Sequence, residues 1–142
     1  MATRGTARKL KKYDDAIVAY SKIIELEPSA LAYTNRGISY GMLGNYDQEI
    51  NDYNKAIEIY PSAIAYNNRG FAYAMLGNNN HAIKDYDKAI ELNPQLAVAY
   101  MNRAAMYQKI KKYEQSMADL KMAAKLGDKE TQKLLSEYRI KW

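Results

Sequence analysis

The sequence predicts an all-α fold of stacked helix pairs, because one ten-residue motif recurs along the chain and its apolar residues have helical spacing. The motif is NRGISYGMLG at 35–44, NRGFAYAMLG at 68–77 and, more loosely, NRAAMYQKIK at 102–111. A catalytic motif is needed once, whereas an element that cannot bury its own apolar face must be stacked on copies of itself. The recurrence therefore indicates architecture before chemistry.

The period of the repeat is 33 or 34 residues. All three prolines keep it: Pro28, Pro61 and Pro94. Two series of tyrosines keep it as well: Tyr33, Tyr66 and Tyr100, then Tyr40, Tyr73 and Tyr107. The extra residue lies in PQLA, where the other repeats have PSA, and an insertion tolerated there indicates a turn.

Each period contains two amphipathic helices. The first helix of a pair ends at a glycine such as Gly44 or Gly77, and the second ends before a proline. A helix at about 13–26 is predicted to end before Pro28. We predict the following helices at about 30–43, 46–59, 63–76, 79–92, 97–110 and 113–126. A last helix at about 128–140 would cap the stack.

Composition excludes several kinds of protein and site. Charged residues make up 26% of the chain and interrupt every apolar run, so we expect neither a membrane span nor a secretory signal. Cysteine is absent, which excludes disulfides and thiolate metal sites, and cytoplasm is the default location. His81 is the only histidine and is expected to face solvent in the first turn of a helix. No phosphate loop or nucleophile elbow is present, so we expect no enzyme, no metal and no cofactor.

This arrangement resembles the tetratricopeptide repeat family. The matching residues are Tyr33, Gly37, Tyr40, Tyr46, Tyr53, Ala56 and Pro61 in one repeat, and Tyr66, Gly70, Tyr73, Ala82, Tyr86, Ala89 and Pro94 in the next. The resemblance implies a right-handed α-solenoid of antiparallel helix pairs in a single domain, 1–142. Its parts would be a truncated first repeat at 1–28, repeats at 29–61, 62–94 and 95–127, and a capping helix at 128–142. The opening helix of the first repeat would be cut to about ten residues.

In this family the first helix of each pair lines a concave groove, which implies a peptide or protein ligand there. The residues that the resemblance places on this face are Leu31, Thr34, Asn35, Ile38 and Met42, then Ile64, Asn67, Asn68, Phe71 and Met75, then Val98, Met101, Asn102 and Lys109. The centre of this face is apolar and its ends are basic. The chaperone-binding branch of the family holds a C-terminal carboxylate with cations that are missing here, so we do not expect chaperone-tail binding.

Asn35, Asn68 and Asn102 are predicted to form a ladder with one amide per repeat. An asparagine side chain offers a donor and an acceptor, which suits the backbone of an extended peptide. The ladder is similar to the one in the peptide-binding superhelix of the O-GlcNAc transferase family. The alternative is that these amides bond only to neighbouring helices. Phe71, the only phenylalanine, is predicted to form an adaptable apolar floor with the neighbouring Ile and Met side chains.

Two other sets of residues are assigned to packing. Gly37, Gly70 and Ala104 lie where the helices of a pair are expected to cross closely. Each is preceded by an arginine, and an aspartate follows 16 residues after that arginine, which predicts three ion pairs: Arg36 with Asp52, Arg69 with Asp85 and Arg103 with Asp119. Twelve of the fourteen tyrosines fall into repeat-locked classes and are expected to be framework residues, with Tyr60 and Tyr138 as the exceptions.

Two alternative functions depend on the ends of the chain. The formal net charge is +5, and basic residues concentrate at 4–12 and in the last third, so a nucleic acid or another anion is an alternative, less favoured ligand. The basic residues of the first segment are Arg4, Arg8, Lys9, Lys11 and Lys12. The shortened opening helix would leave an apolar flank uncovered, which makes a homo-oligomer through the N-terminal end a second alternative.

Overall fold

Residues 4–142, with the side chain of Arg4 excepted, are described by a computed structural model. Within those residues the chain forms α-helices and turns and no β-strand, which confirms the predicted all-α class. The helices are α1 (Arg4–Leu26), α2 (Ala30–Met42), α3 (Tyr46–Ile59), α4 (Ala63–Met75), α5 (Asn79–Leu92), α6 (Ala97–Lys109), α7 (Tyr113–Lys125) and α8 (Lys129–Glu137). They fall into two compact units, Met1–Pro61 and Ser62–Trp142.

In the first unit, α2 packs against both α1 and α3. α2 begins after Ser29, whose Oγ accepts a hydrogen bond from the backbone N–H of Ala32 at 3.3 Å. This bond satisfies one of the amide groups that a helix leaves unpaired at its start. The turn to α3 contains Gly44 with a φ of 76°, in the left-handed region that a residue without a Cβ enters freely.

In the second unit, each helix from α4 to α8 packs against the next, and α4 also contacts α6. Ser62 caps α4 as Ser29 caps α2, and the Asp128 carboxylate accepts a hydrogen bond from the backbone N–H of Thr131 at 2.7 Å to begin α8. The turn from α4 to α5 again uses a left-handed glycine, Gly77. The turn from α6 to α7 places Lys111 in that region, with a φ of 61°.

The predicted limits of α2 to α7 are confirmed, since each helix begins at the expected residue and ends within one residue of the expected end. The predicted end of α8 at 140 is wrong, because the helix ends at Glu137. Arg139 takes a φ of 56°, and the backbone N–H of Ile140 donates to the carbonyl oxygen of Leu135 at 2.8 Å, which closes the helix.

The first helix departs furthest from the prediction. We expected a short opening helix and then a separate helix at 13–26, but α1 is continuous from Arg4 to Leu26. KLKKY at 9–13 is helical throughout, whereas the near-identical KIKKY at 109–113 spans the turn from α6 to α7. Lys111 in that turn is left-handed, which costs a residue with a Cβ about 1–2 kcal/mol, and the packing of α6 against α7 offsets that cost. The described residues before 9 continue the helix, so within residues 4–142 no second helix packs there to offset such a cost.

Small residues lie where the helices of a pair cross, as predicted. A Cβ added to Gly37 would lie 3.4 Å from the Cβ of Asp52, and one added to Gly70 would lie 2.8 Å from the ring of Tyr86. Tyr86 is among the largest fully buried side chains of the described residues. Ala104 occupies the equivalent place in the next pair and is also buried.

Within residues 4–142 no helix combines the length and the apolarity needed to cross a lipid bilayer.

Candidate functional site

One face of α4 carries large apolar side chains that remain exposed. Ile64, Phe71 and Met75 are each about half exposed, and Asn68 lies between them on the helix surface. Their spacing of three or four residues places them on one side of the helix. The aromatic and thioether groups offer an adaptable apolar contact surface that the core of the unit does not use.

A hydrogen bond between asparagines joins this face to α6. The Nδ2 group of Asn102 donates to Oδ1 of Asn67 at 3.1 Å, and Nδ2 of Asn67 donates to Oδ1 of Asn68 at 3.3 Å. Val98, Met101 and Lys109 lie within two turns of Asn102 on α6, and Val98 and Lys109 are exposed whereas Met101 is half-buried. The α4–α6 face, as the term is used below, consists of Ile64, Asn67, Asn68, Phe71, Met75, Val98, Met101, Asn102 and Lys109.

The three amides of the predicted ladder have different surroundings. Asn102 bonds to a neighbouring helix, which is the alternative expected for it. The Nδ2 group of Asn68 and the whole side chain of Asn35 have no hydrogen-bond partner within residues 4–142. Asn67 was also expected on the face, and it is buried, so it supports the face from beneath.

The remaining predicted residues lie on α2, in the first unit. Leu31, Ile38 and Met42 are exposed there, at 70%, 41% and 53%. Thr34 and Asn35 are half-buried between them. α2 therefore presents a series of side chains similar to that of α4, with Leu31, Thr34 and Ile38 in place of Ile64, Asn67 and Phe71.

The arginines of the repeat are held in ion pairs beside the helix crossings, as predicted. Nε and Nη2 of Arg36 donate to the two carboxylate oxygens of Asp52 at 2.8 and 2.7 Å. Arg69 with Asp85 and Arg103 with Asp119 have the same paired geometry. The hydrogen bond to the aspartate raises the pKa of each arginine above its ordinary value. These guanidinium groups are therefore committed to internal carboxylates.

Each of these arginines also packs on tyrosine rings. The guanidinium carbon of Arg36 lies 5.6 Å from the ring centre of Tyr33 and 5.9 Å from that of Tyr40. Arg103 has the same arrangement with Tyr100 and Tyr107, at 5.7 and 5.6 Å. These contacts are close enough for a cation–π attraction. The tyrosines thus act as framework residues around the ion pairs.

Two further partners of the arginines were not predicted from the sequence. Nη1 of Arg36 donates to Oγ of Ser21 on α1 at 3.0 Å, and Nη1 of Arg103 donates to Asp87 on α5 at 2.6 Å. Ser21 and Asp87 lie at equivalent positions, two periods apart. Each of these arginines therefore links its own helix pair to the helix before it.

Sequence reasoning also missed Glu49 on α3. Glu49 is 6% exposed and packs against Gly41, and its Oε2 has no hydrogen-bond partner among residues 4–142. Burial raises the pKa of the carboxyl group to about 7, and a hydrogen bond with Tyr53 opposes that rise. The sequence contained a signal for this residue, because the equivalent positions of the later repeats carry the small residues Ala82 and Ser116, and a glutamate departs from that pattern.

The side chains with catalytic or metal-binding chemistry are dispersed. His81 is exposed, its Nδ1 lies 2.9 Å from Oδ1 of Asn78, and its ring lies against Tyr73. Among residues 4–142 no three His, Asp or Glu side chains are grouped so as to hold one metal ion. The basic residues Arg8, Lys9, Lys11 and Lys12 are exposed along α1, and the side chain of Arg4 lies outside the described residues.

Comparison with known proteins gives a family and several similar folds. Models described as tetratricopeptide repeat match residues 6–29, 30–62, 63–96 and 85–118. A crystal structure of MamA has a TM-score of 0.78 and 24% identity, over 89% of this chain and 76% of that one. The first TPR of Spaghetti (RPAP3) bound to the HSP90 peptide SRMEEVD has a TM-score of 0.71 and 28% identity, over 76% of this chain and 88% of that one.

The NMR structure of the first TPR domain of human RPAP3 also has a TM-score of 0.71 and 28% identity, over 76% of this chain and 87% of that one. A comparison with curated proteins gave no significant sequence match. The family matches reach from residue 6 to residue 118, and those at 30–62 and 63–96 coincide with the helix pairs α2–α3 and α4–α5. The chain therefore belongs to the tetratricopeptide repeat family.

Proposed function

We propose that the chain is a non-enzymatic interaction scaffold and that its α4–α6 face binds a peptide segment of a partner protein. The observation that carries the proposal is the hydrogen bond from Asn102 to Asn67, which joins two helices whose exposed apolar side chains have no role in the core. Similar structures support the general activity, since the first TPR of Spaghetti (RPAP3) is described as bound to a peptide.

The side chains of the face suit a peptide with apolar anchors. Phe71 and Met75 are about half exposed, and full burial of such a side chain contributes about 1.5–3 kcal/mol. Beside them, Nδ2 of Asn68 is a free donor for a peptide carbonyl group. A few anchors of this kind supply most of the affinity of many protein interfaces.

The charge of the face argues against an acidic tail as the ligand. Lys109 is the one cation among the residues of the α4–α6 face, and the face has no acidic residue. The nearby Arg69 and Arg103 are paired with internal aspartates. We therefore propose a ligand that binds through aliphatic or aromatic side chains, unlike the HSP90 peptide SRMEEVD of the similar structure. The exposed side chains of α2 would bind a segment of the same kind.

The proposal is tested with peptides selected from a random display library against the native chain. Affinities of the selected peptides, and of SRMEEVD, would be measured by fluorescence anisotropy. Phe71→Asp should weaken the selected peptides at least tenfold, because it places a charge at the centre of the face. The matched control is Leu92→Asp, which changes a similarly exposed apolar residue on α5 and should leave affinity within about twofold.

Circular dichroism would establish that both variants are folded. Equal loss of affinity in the two variants, or preferential binding of SRMEEVD, would overturn the assignment of the face. Binding that disappears at moderate salt would instead indicate the basic segments of the chain.

A further inference from the structure

α1 has an apolar stripe that is largely exposed within the described part of the chain. Ala16, Ala19, Ile23 and Leu26 recur at intervals of three and four residues, which places them along one side of the helix. Ile23 is 45% exposed, Leu26 is 88% exposed and Ala19 is exposed beside them, whereas Ala16 is half-buried. We call these four residues, with Lys12 one turn before them, the free seam.

The opposite stripe of the same helix is already used. Ile24 is buried, Ile17 and Tyr20 are half-buried, and Ser21 accepts the hydrogen bond from Arg36 of α2. Since α1 packs against α2, the contact with the rest of the first unit lies on this stripe. The free seam therefore faces away from the unit.

In every other repeat the matching stripe is covered by the paired helix. One period after Ala16, Ala19 and Ile23 come Glu49, Asp52 and Ala56 of α3, and all three are buried against α2. The matching residues of α5 and α7 are buried as well: Ala82, Asp85 and Ala89, then Ser116, Asp119 and Ala123. In α1 two of the three matching residues, Ala19 and Ile23, are exposed.

The free seam is not shaped for the usual partner helix. Ala56, Ala89 and Ala123 are fully buried at the position where α1 has Ile23, so an isoleucine there would overpack a normal pair. Ala19 replaces the aspartate that pairs with the repeat arginine, so the charge anchor of a normal pair is missing too. A helix that packs on the free seam must therefore lie further from α1 at Ile23 than in a normal pair, and it must make an apolar contact with Ala19.

The charges on α1 indicate that this partner is another copy of the same helix. Residues 5–12 carry four basic side chains and no acidic one, whereas residues 14–27 carry four acidic side chains and one basic. Antiparallel pairing of two copies places each basic half along the other copy's acidic half, and parallel pairing would place like charges together. Aligned helix dipoles favour the antiparallel arrangement in the same way.

We propose that the protein forms a two-fold symmetric dimer through antiparallel packing of the free seam of α1. With the axis between Ala16 and Ala19, these small residues allow close approach at the centre. Lys12 of one copy then lies over Ile23 of the other, where its methylene stem covers the isoleucine and its ammonium group stays in water. Near the ends, Arg8 of each copy lies beside Glu27 of the other. This interface uses the first unit and does not depend on the α4–α6 face.

Sedimentation velocity over a wide concentration range tests the dimer. The native chain should show a mass that rises from monomer to dimer with concentration. Ile23→Glu should weaken the dimer at least tenfold, because it places a charge in the seam. The control Val18→Glu changes an apolar residue that is 56% exposed and lies roughly 140° around the helix, so it should leave the dimer unchanged. Circular dichroism would verify that both variants keep their helix content.

A monomer at every concentration, or a dimer that Ile23→Glu and Val18→Glu affect equally, would overturn the proposal. Orientation is tested by disulfide formation, since the native chain has no cysteine. When Lys12→Cys and Ile23→Cys chains are mixed under mild oxidation, the antiparallel arrangement predicts the mixed disulfide as the main product. If each variant cross-links to itself instead, the helices are parallel and the proposed arrangement is wrong.

Discussion

The carboxyl group of Glu49 occupies the space beside Gly41 that a larger residue would fill. A Cβ added to Gly41 would lie 2.5 Å from Oε2 of Glu49 and 2.7 Å from its Oε1. The equivalent residues of the second unit are Ala74 and Ala82, both buried. The first unit thus combines a glycine with a glutamate where the second combines two alanines.

This relationship predicts strong coupling between substitutions at the two positions. Gly41→Ala alone should destabilise the protein by up to about 1 kcal/mol, because the new methyl group displaces the carboxyl group, which is the end of a flexible side chain. In a Glu49→Ala background the same change should stabilise by up to about 1 kcal/mol, the difference in helix propensity between glycine and alanine. Urea unfolding of the four chains measures the coupling, and additive effects would contradict the packing described for Glu49.

The raised pKa of Glu49 predicts a specific pH dependence. The folded chain binds the proton of this group more tightly than the unfolded chain, because burial raises the pKa from 4.5 to about 7. The contribution of Glu49 to the free energy of unfolding is therefore most favourable below pH 4.5 and is lost as pH rises through 7. Glu49→Gln removes the titration and keeps the shape of the side chain. The free energy of unfolding of the native chain should fall relative to that of the variant by roughly 2 kcal/mol between pH 5 and 8, and parallel curves would exclude a buried, titrating Glu49.

The two equivalent glycines should respond differently to alanine. A Cβ at Gly37 would make ordinary contacts at 3.4 Å or more, so Gly37→Ala should be neutral or stabilise by up to about 1 kcal/mol. A Cβ at Gly70 would lie 2.8 Å from the buried ring of Tyr86, so Gly70→Ala should destabilise by about 1–2 kcal/mol. Thermal unfolding of the two variants gives the comparison, and equal melting temperatures would show that the crossings do not differ in this way.

The two carboxylates around Arg103 should contribute unequally. The side chain of Asp119 is 7% exposed and that of Asp87 is 50% exposed. Asp119→Ala leaves the guanidinium group without its internal partner and should cost about 3 kcal/mol. Asp87→Ala should cost less than about 1 kcal/mol, because water screens that pair. Chemical denaturation distinguishes the two, and a larger effect of Asp87→Ala would reverse the assignment.

Features that occur in every repeat were predictable, and single exceptions were not. Helices α2 to α7 and the three paired arginines were predicted because the same residues recur three times at one spacing. A separate helix was expected at 13–26, but α1 is continuous through KLKKY at 9–13, because the cost of a left-handed lysine is offset only where two helices pack. The choice between turn and helix there depends on tertiary contacts that the local sequence does not contain.

The residues of the α4–α6 face were also predicted only in part. The family resemblance placed Asn67 and Asn68 on one face of α4, but such a placement does not distinguish a side chain at the edge of the face from one at its centre. The structure buries Asn67 and uses it to bind Asn102, and it leaves Asn68 half-buried with a free donor. Glu49 was missed because the repeat pattern predicts a small residue at its position.

The most direct measurement of the central claim is a methyl NMR titration of the chain, labelled at its methionines, with a peptide selected from the library. Met75 and Met101 lie on the α4–α6 face, whereas Met117 and Met122 lie on α7 and Met106 is buried in the core. Binding to the proposed face predicts saturable shifts of the Met75 and Met101 methyl signals, with those of Met117 and Met122 unchanged. Shifts confined to the α7 methionines, with Met75 and Met101 unaffected at saturation, would contradict the assignment of the α4–α6 face as the peptide-binding surface.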